Sequence, residues 1–341
     1  MNLISSLSKC LFALSTFALV NVSHADIRPH TFKFAHVLSK ASHYEAGAQK
    51  FAEILAKKSN NKLIIKTYPD GTLGGEVQVI QALRSGTVDI TTCNPGMLIG
   101  LNKNFGVFDM PFMFNDHSEA DAILDGRIGK SLLDNPPPGL VGLAYWDHGF
   151  RNVSNSKRPI VKMEDIDGLK IRVSQSPMII ETIRGLNANP LPMPFTELYT
   201  ALETKAVDGQ ENPNGIFEFN KLYEVQKYLS LTQHQYNPLI VLFSKKIWDE
   251  LNSDEQKLVR EAAAETVSYQ RKFLRDMNSN ALVSLKEKGT IINDVSAQEK
   301  ERMRNKLRPV SERLAKEQVN EAIVKDVMAE LEKIRQTKTS N

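Results

Sequence analysis

Three polar signals in the middle third of the chain are of the right types to act on one anion. The first is Arg172 in "GLKIRVSQSP" (168–177), where apolar Leu169, Ile171 and Val173 alternate with Lys170 and Arg172. That alternation predicts a short strand with Arg172 near its end, and Ser174, Ser176 and Pro177 read as the start of a helix. The second is Arg151 in "WDHGFRN", at one end of a long extended segment beside the aromatic Trp146 and Phe150. The third is Asn212 in the turn "VDGQENPNG". A planar guanidinium pairs with a carboxylate through two parallel hydrogen bonds. An amide both donates and accepts, and a helix N-terminus adds free N–H groups and a favourable dipole. Converging on one point, these groups would recognise a carboxylate. Each also has a plainer reading: Arg172 as an edge-strand arginine, Arg151 paired with Asp147 or another internal carboxylate, Asn212 as a turn residue before Pro213.

Signals for bond-making chemistry are weak. The sequence has no GxGxxG after a strand, no GxxxxGK[ST], no HExxH and no GxSxG. His36, His43, His117, His148 and His234 are scattered, form no metal-ligand spacing with a cysteine pair, and read as structural or solvent-facing rather than catalytic. The expectation is a binding protein with no metal and no cofactor, not an enzyme. An enzyme acting on a carboxylate is the alternative from another class, because a Ser–His–Asp triad leaves no local motif to search for.

The elements that must position these groups come in α/β order. "HTFKFAHV" (30–37) reads as a strand, 43–59 as an amphipathic helix with Ala48, Phe51, Ala52 and Leu55 on one face, and "KLIIKTYPD" (62–70) as a second strand. A helix, a stop at Gly86 and a third strand from Thr87 follow. That order predicts an α/β sheet with crossover helices. After the rigid "DNPPPGL" break (134–140), a long extended segment, a second α/β series and another long extended segment, 228–244, suggest two crossings between lobes. The tail from Ser253 is expected to be almost wholly helical.

With 341 residues, 41% hydrophobic and 24% charged, the chain suits about two domains. A formal charge of +3 with interleaved signs gives no nucleic-acid surface. Lys9, the run "CLFALSTFALV" and Ser23-His24-Ala25 describe a secretory signal, 1–25, cut after Ala25. The mature product is expected in the periplasm with Cys93 as its one thiol, a buried small hydrophobe.

Longer stretches carry a resemblance. "YPDGTLGGEVQVIQAL", "FGVFDMPFMF", "GLKIRVSQSP", "NANPLPMPF", "AVDGQENP" and "YEVQKYLSLTQHQYNP" stand in the order found in the DctP-type substrate-binding proteins of tripartite ATP-independent periplasmic (TRAP) transporters. The chain resembles that family from about Phe32 to about Asp249. The resemblance implies a two-lobed α/β clamp that closes on an organic acid, with a long helix along both lobes. It makes Arg172 the principal ligand arginine, Arg151 its assistant, Asn212 the amide and Phe195 the packing aromatic. Glu76 and Asn94 fall where the family places ligand-facing polar groups of the first lobe, and Trp146, His36 and Ser176 are lesser candidates. The lobes are expected at 26–148 plus 238–277 and at 149–237 plus 278–341. The expected partners are a small organic acid (sugar acid, hydroxy acid or C4-dicarboxylate) and the small and large TRAP membrane subunits, met by a monomeric receptor. Service to an ABC importer or a sensor kinase is the alternative among binding proteins. Glu76 would disfavour a second ligand carboxylate and favour hydroxyls.

Overall fold

Strands and helices alternate along the chain and share one nine-stranded mixed sheet. The computed structural model describes residues 26–339, and the expected signal segment lies outside them. The strands are β1 (His30–Ala35), β2 (Leu63–Tyr68), β3 (Ile90–Cys93), β4 (Leu140–Asn155), β5 (Lys170–Val173), β6 (Asn189–Pro192), β7 (Gly209–Asn212), β8 (Tyr228–Ser244) and β9 (Ile291–Asp294). The helices are α1 (His43–Lys58), α2 (Glu76–Ser85), α3 (His117–Asp125), α4 (Arg127–Asp134), α5 (Pro177–Gly185), α6 (Leu198–Glu203), α7 (Asn214–Phe219), α8 (Lys245–Trp248), α9 (Ser253–Glu287), α10 (Ala297–Glu317) and α11 (Glu321–Thr339).

The strand order β2-β1-β3-β8-β4-β7-β5-β6 explains the two lobes. β1, β2 and β3 form a parallel unit at one end, and β5, β6 and β7 form another at the other end. Between them β4 and β8 run antiparallel from Leu140 opposite Ser244 to Asn155 opposite Tyr228. β8 pairs with β3 through Ile240–Phe243, whereas β4 pairs with β7 through Asn152–Asn155. These strands are the two crossings expected from the long extended segments. Three register shifts interrupt their ladder, one of them between Asp147 and Gly149, where Gly149 takes φ +99°. A bulge of this kind bends the strand and re-aims the side chains beyond it.

Local sequence accounts for the elements. Ser42 caps α1, its hydroxyl accepting from the Glu45 amide at 3.3 Å, and Ala48, Phe51 and Leu55 bury one face. Asn252 and Glu255 form a reciprocal capping box at the start of α9. That helix, 35 residues long, would span about 52 Å at 1.5 Å per residue, and it packs against α1, β4 and α7. Gln270 fastens it to the β4 bulge: its carbonyl accepts from the Asp147 amide at 2.7 Å, and its NH2 donates to the Asp147 carbonyl at 2.8 Å. Arg275 adds an ion pair to the buried Asp147 carboxylate at 2.9 Å.

The tail is helical apart from β9, which joins β8. α10 packs on α5, but α11 does not. It packs on α3, with Val327 and Leu331 in the same apolar cluster as Ala120, Ile123 and Leu124. Arg335 pairs with Glu119 at 2.8 Å, and Lys338 pairs with Asp116 at 2.8 Å. The end of the chain therefore returns to the first lobe, drawn by its own apolar stripe. Among the described residues no helix is long and apolar enough to cross a membrane.

Trp146 belongs to this framework and not to a ligand surface. It is fully buried, its ring stacked on Phe34 at 6.0 Å between centroids. α1 approaches it through Gly47, where an added Cβ would stand 2.8 Å from the indole. Gly47→Ala should therefore destabilise the protein by about 1–3 kcal/mol, although alanine is the better helix former. Urea denaturation of the two proteins would measure this, and equal or higher stability of the variant would show that the contact yields freely.

Candidate functional site

The parallel strands at both ends of the sheet direct their C-terminal ends toward one cleft, the usual ligand position in open α/β sheets. β1 leads into Val37 and Leu38, β3 into Asn94, β5 into Ser174, and β7 ends on Asn212. With Tyr44 of α1, Glu76 at the first position of α2, His148 and Arg151 of β4, Arg172 of β5, and Phe195, they line a narrow cavity of about 30 Å³. Six of the nine residues singled out in the sequence lie in this lining: Arg172, Arg151, Asn212, Phe195, Glu76 and Asn94. Trp146, His36 and Ser176 do not. His36 is turned into the first lobe, its Nε2 2.8 Å from the Glu45 carboxylate. Ser176 does precede a helix, with Pro177 at its start, but its hydroxyl donates to Asp109 at 2.7 Å. The α5 N-terminus is thus next to the lining, which ends at Ser174.

The two arginines differ in their partners. Arg151 is buried against Glu211, its Nη2 2.8 Å from one carboxylate oxygen and its Nε bonded to the other. The plainer reading of Arg151, pairing with an internal carboxylate, is thus realised, while the residue still lines the cavity. Burial works to raise the Glu211 carboxyl, but the attraction of Arg151 and its hydrogen bonds outweigh it and hold the group at about 2. Arg172 is 2% exposed. Its Nε and Nη2 donate to the Met193 carbonyl at 3.2 and 2.8 Å, and its guanidinium lies 5.7 Å from the centre of the Phe195 ring. Among the described residues it forms no ion pair. Burial, reinforced by the neighbouring Arg151 charge, lowers it to about 10 against the opposing pull of Glu211.

On the other side, burial raises the Glu76 carboxyl, opposed by Arg172, Arg151 and the Asn94 amide. The Asn94 carbonyl oxygen accepts from the Gly96 amide at 2.7 Å. Asn212 donates to Gln210 Oε1 at 2.6 Å, which leaves its own carbonyl oxygen uncommitted in the cavity wall. Ser174 carries a buried hydroxyl with no protein partner. The arrangement offers a guanidinium at one end and polar acceptors and donors at the other. It provides no nucleophile–base–orienter series within hydrogen-bonding reach.

A match to a family model decides the family. The model of bacterial extracellular solute-binding proteins, family 7 (DctP), covers residues 34–318. The chain belongs to the DctP family. The 2,3-diketo-L-gulonate-binding periplasmic protein YiaO of Escherichia coli is 36% identical over 286 residues, covering 83% of this chain and 87% of that protein. A sugar acid binding protein of Advenella mimigardefordensis, solved with galactonate, is 43% identical with a TM-score of 0.88, over 90% of this chain and 99% of that one. A TRAP solute-binding protein of a Polaromonas species, solved with D-erythronate, is 33% identical with a TM-score of 0.84, over 88% and 98%. The two-lobed DctP fold and the lobe-bridging strands described above agree with these likenesses.

Sequence reasoning missed Tyr44, His148, Ser174, Val37 and Leu38. Ser174 was within reach, since it lies two residues beyond Arg172 on the same face of the strand. His148 was not: strict alternation puts it opposite Arg151, and only the bulge at Gly149 brings both to the cavity. The charge pair beneath the site makes its own prediction. Glu211→Gln should cost about 3–5 kcal/mol at neutral pH by leaving the Arg151 charge uncompensated. The native Glu211 value lies below the unfolded one, so the pair's contribution is complete above the ordinary carboxylate range and is lost as pH falls from about 4.5 toward about 2. Urea denaturation across pH should show the gap between wild type and variant closing over that interval. A gap independent of pH would contradict the ion-pair account.

Proposed function

We propose that the protein is an extracytoplasmic receptor for a hydroxylated monocarboxylate, a sugar acid, which it delivers to TRAP membrane subunits. The observation that carries this reading is Arg172: a buried guanidinium, held by one backbone carbonyl and facing a cleft. A ligand carboxylate is the partner that geometry suits. Arg151 reinforces the positive field even though Glu211 neutralises most of it, and Asn212 contributes its carbonyl oxygen to a hydroxyl next to the carboxyl group. Glu76 faces the same space, so a second carboxylate at the far end would meet a like charge, whereas hydroxyls could donate to it. Relatives solved with galactonate and D-erythronate support the same class.

Mechanism here is binding and closure. A ligand touching both lobes favours the closed arrangement by its differential affinity for it, and β4 and β8 are the segments that bend. The Asp109–Ser176 hydrogen bond joins the segment before α3 to the start of α5. The membrane subunits then recognise the closed form. The receptor acts as a monomer in the periplasm after cleavage behind Ala25.

Arg172→Ala should weaken galactonate binding about a hundredfold or more, from about 3–5 kcal/mol lost with one partner of a buried pair. Arg172→Lys keeps the charge without the fork and should also bind poorly. A thermal-shift panel of sugar acids, hydroxy acids, 2-oxo acids and C4-dicarboxylates on wild type and Glu76→Gln tests the class, because ligands raise the melting temperature by mass action. Sugar acids should give the largest shift on wild type, and Glu76→Gln should move the preference toward dicarboxylates. The largest shift from succinate or malate, unchanged in Glu76→Gln, would overturn the hydroxyl argument.

A further inference from the structure

The first-lobe wall of the cavity contains a histidine, His148, that is hydrogen-bonded to a second buried histidine. His43 Nε2 and His148 Nδ1 are 3.0 Å apart, both rings are buried, and both stand against Tyr44. One nitrogen must donate and the other accept. Burial, the largest influence on each, holds both rings neutral, His43 at about 3 and His148 well below the ordinary histidine value. Each ring therefore has one N–H.

The other nitrogen of His43 decides which ring donates. His43 Nδ1 is buried with no protein partner. A proton there would be an orphaned N–H in the interior, whereas an unpaired acceptor is the lesser penalty. His43 thus protonates on Nε2 and donates to His148 Nδ1. His148 must then bear its proton on Nε2, the nitrogen that is left for the cavity, which the residue lines together with Glu76, Asn94 and Arg151.

We propose that His148 is a specificity residue, a fixed neutral donor to a ligand hydroxyl oxygen, and that His43 is the positioning residue that fixes its tautomer. The consequence is chemical discrimination within one wall. His148 Nε2–H can only donate, and an ionised Glu76 can only accept. A hydroxyl does both, so a polyhydroxylated chain satisfies the wall. A methylene leaves the histidine donor unpaired, and a second carboxylate satisfies the histidine while opposing the glutamate. This deepens the sugar-acid reading above and rests on it for the choice of ligand.

The test has two arms on the mature protein. In the first, long-range 15N–1H correlation spectra of histidine-labelled protein without added ligand should show His148 protonated on Nε2 and His43 likewise. His43→Phe should release His148 to a mixture of tautomers, and His43→Gln, which keeps an N–H donor, should restore the Nε2–H form. A His148 that carries its proton on Nδ1 in wild type overturns the proposal. In the second arm, calorimetry with galactonate should show His148→Phe weakened roughly tenfold to hundredfold, His148→Gln weakened less, and the loss on His148→Phe abolished for one monodeoxy galactonate. Equal affinity of His148→Phe and wild type, or an equal loss for every deoxy analogue, overturns it. If galactonate does not bind wild type at all, the functional reading fails, and the tautomer arm alone decides this proposal.

Discussion

The site depends on a buried cation, Arg172, that no carboxylate of the described residues meets at ion-pair distance. Removing a guanidinium from water costs several kcal/mol, and in return Arg172 receives the Met193 carbonyl, the face of Phe195 and the more distant attraction of Glu211 and Glu76. The surrounding fold has to make up the difference. Arg172 comes from β5, held by β6 on one side and β7 on the other, with Ile171 and Val173 buried in the second lobe's core on the opposite face. That anchoring keeps the guanidinium from turning out to water. Arg151 next to it could not remain as a second unpaired cation, and Glu211 neutralises it. Of the two positive charges in the wall, one belongs to the protein's internal balance and one is left for the ligand.

The rest of the molecule divides this task between two ends of one sheet. Cationic groups arise from β4 and β5, and the acceptor Glu76 with the His148 donor stands toward the first lobe. A ligand is recognised fully only when both ends meet it, which couples recognition to the geometry of β4 and β8. Those strands are not free ribbons. Gln270 and Arg275 bind the bulge at Asp147 to α9, which packs on α1 and α7 as well as on β4. Burial raises the Asp109 carboxyl to about 7, against hydrogen bonds from Ser176 and Asn94 and the attraction of Arg151. Asp109 is one more polar group kept near the crossing, where it bonds Asn237 of β8 at 2.9 Å as well as Ser176.

Much of the fold was legible because its signals are local. Alternation marked β5, apolar extended runs marked β1, β2 and the two crossing strands, and helical spacing marked α1. The return of α11 to the first lobe was not legible, since the tail's charged faces hide which core its apolar stripe will find. Arg172 could be read from a strand end followed by a helix start. Trp146 could not be separated from a ligand aromatic by sequence, because its fate is set by Phe34 and Gly47, distant in sequence. His148 escaped for a different reason. A bulge changes which face of a strand a residue occupies, and Gly149, with its positive φ, was the only trace of it in the sequence.

A crystal structure with galactonate bound would test the central claim most directly. The account predicts the ligand carboxylate paired through both oxygens with the Arg172 guanidinium, flanked by Arg151 and Asn212, with the hydroxylated chain directed at Glu76 and His148. A carboxylate lodged in the first lobe, with Arg172 still held only by the Met193 carbonyl, would contradict it.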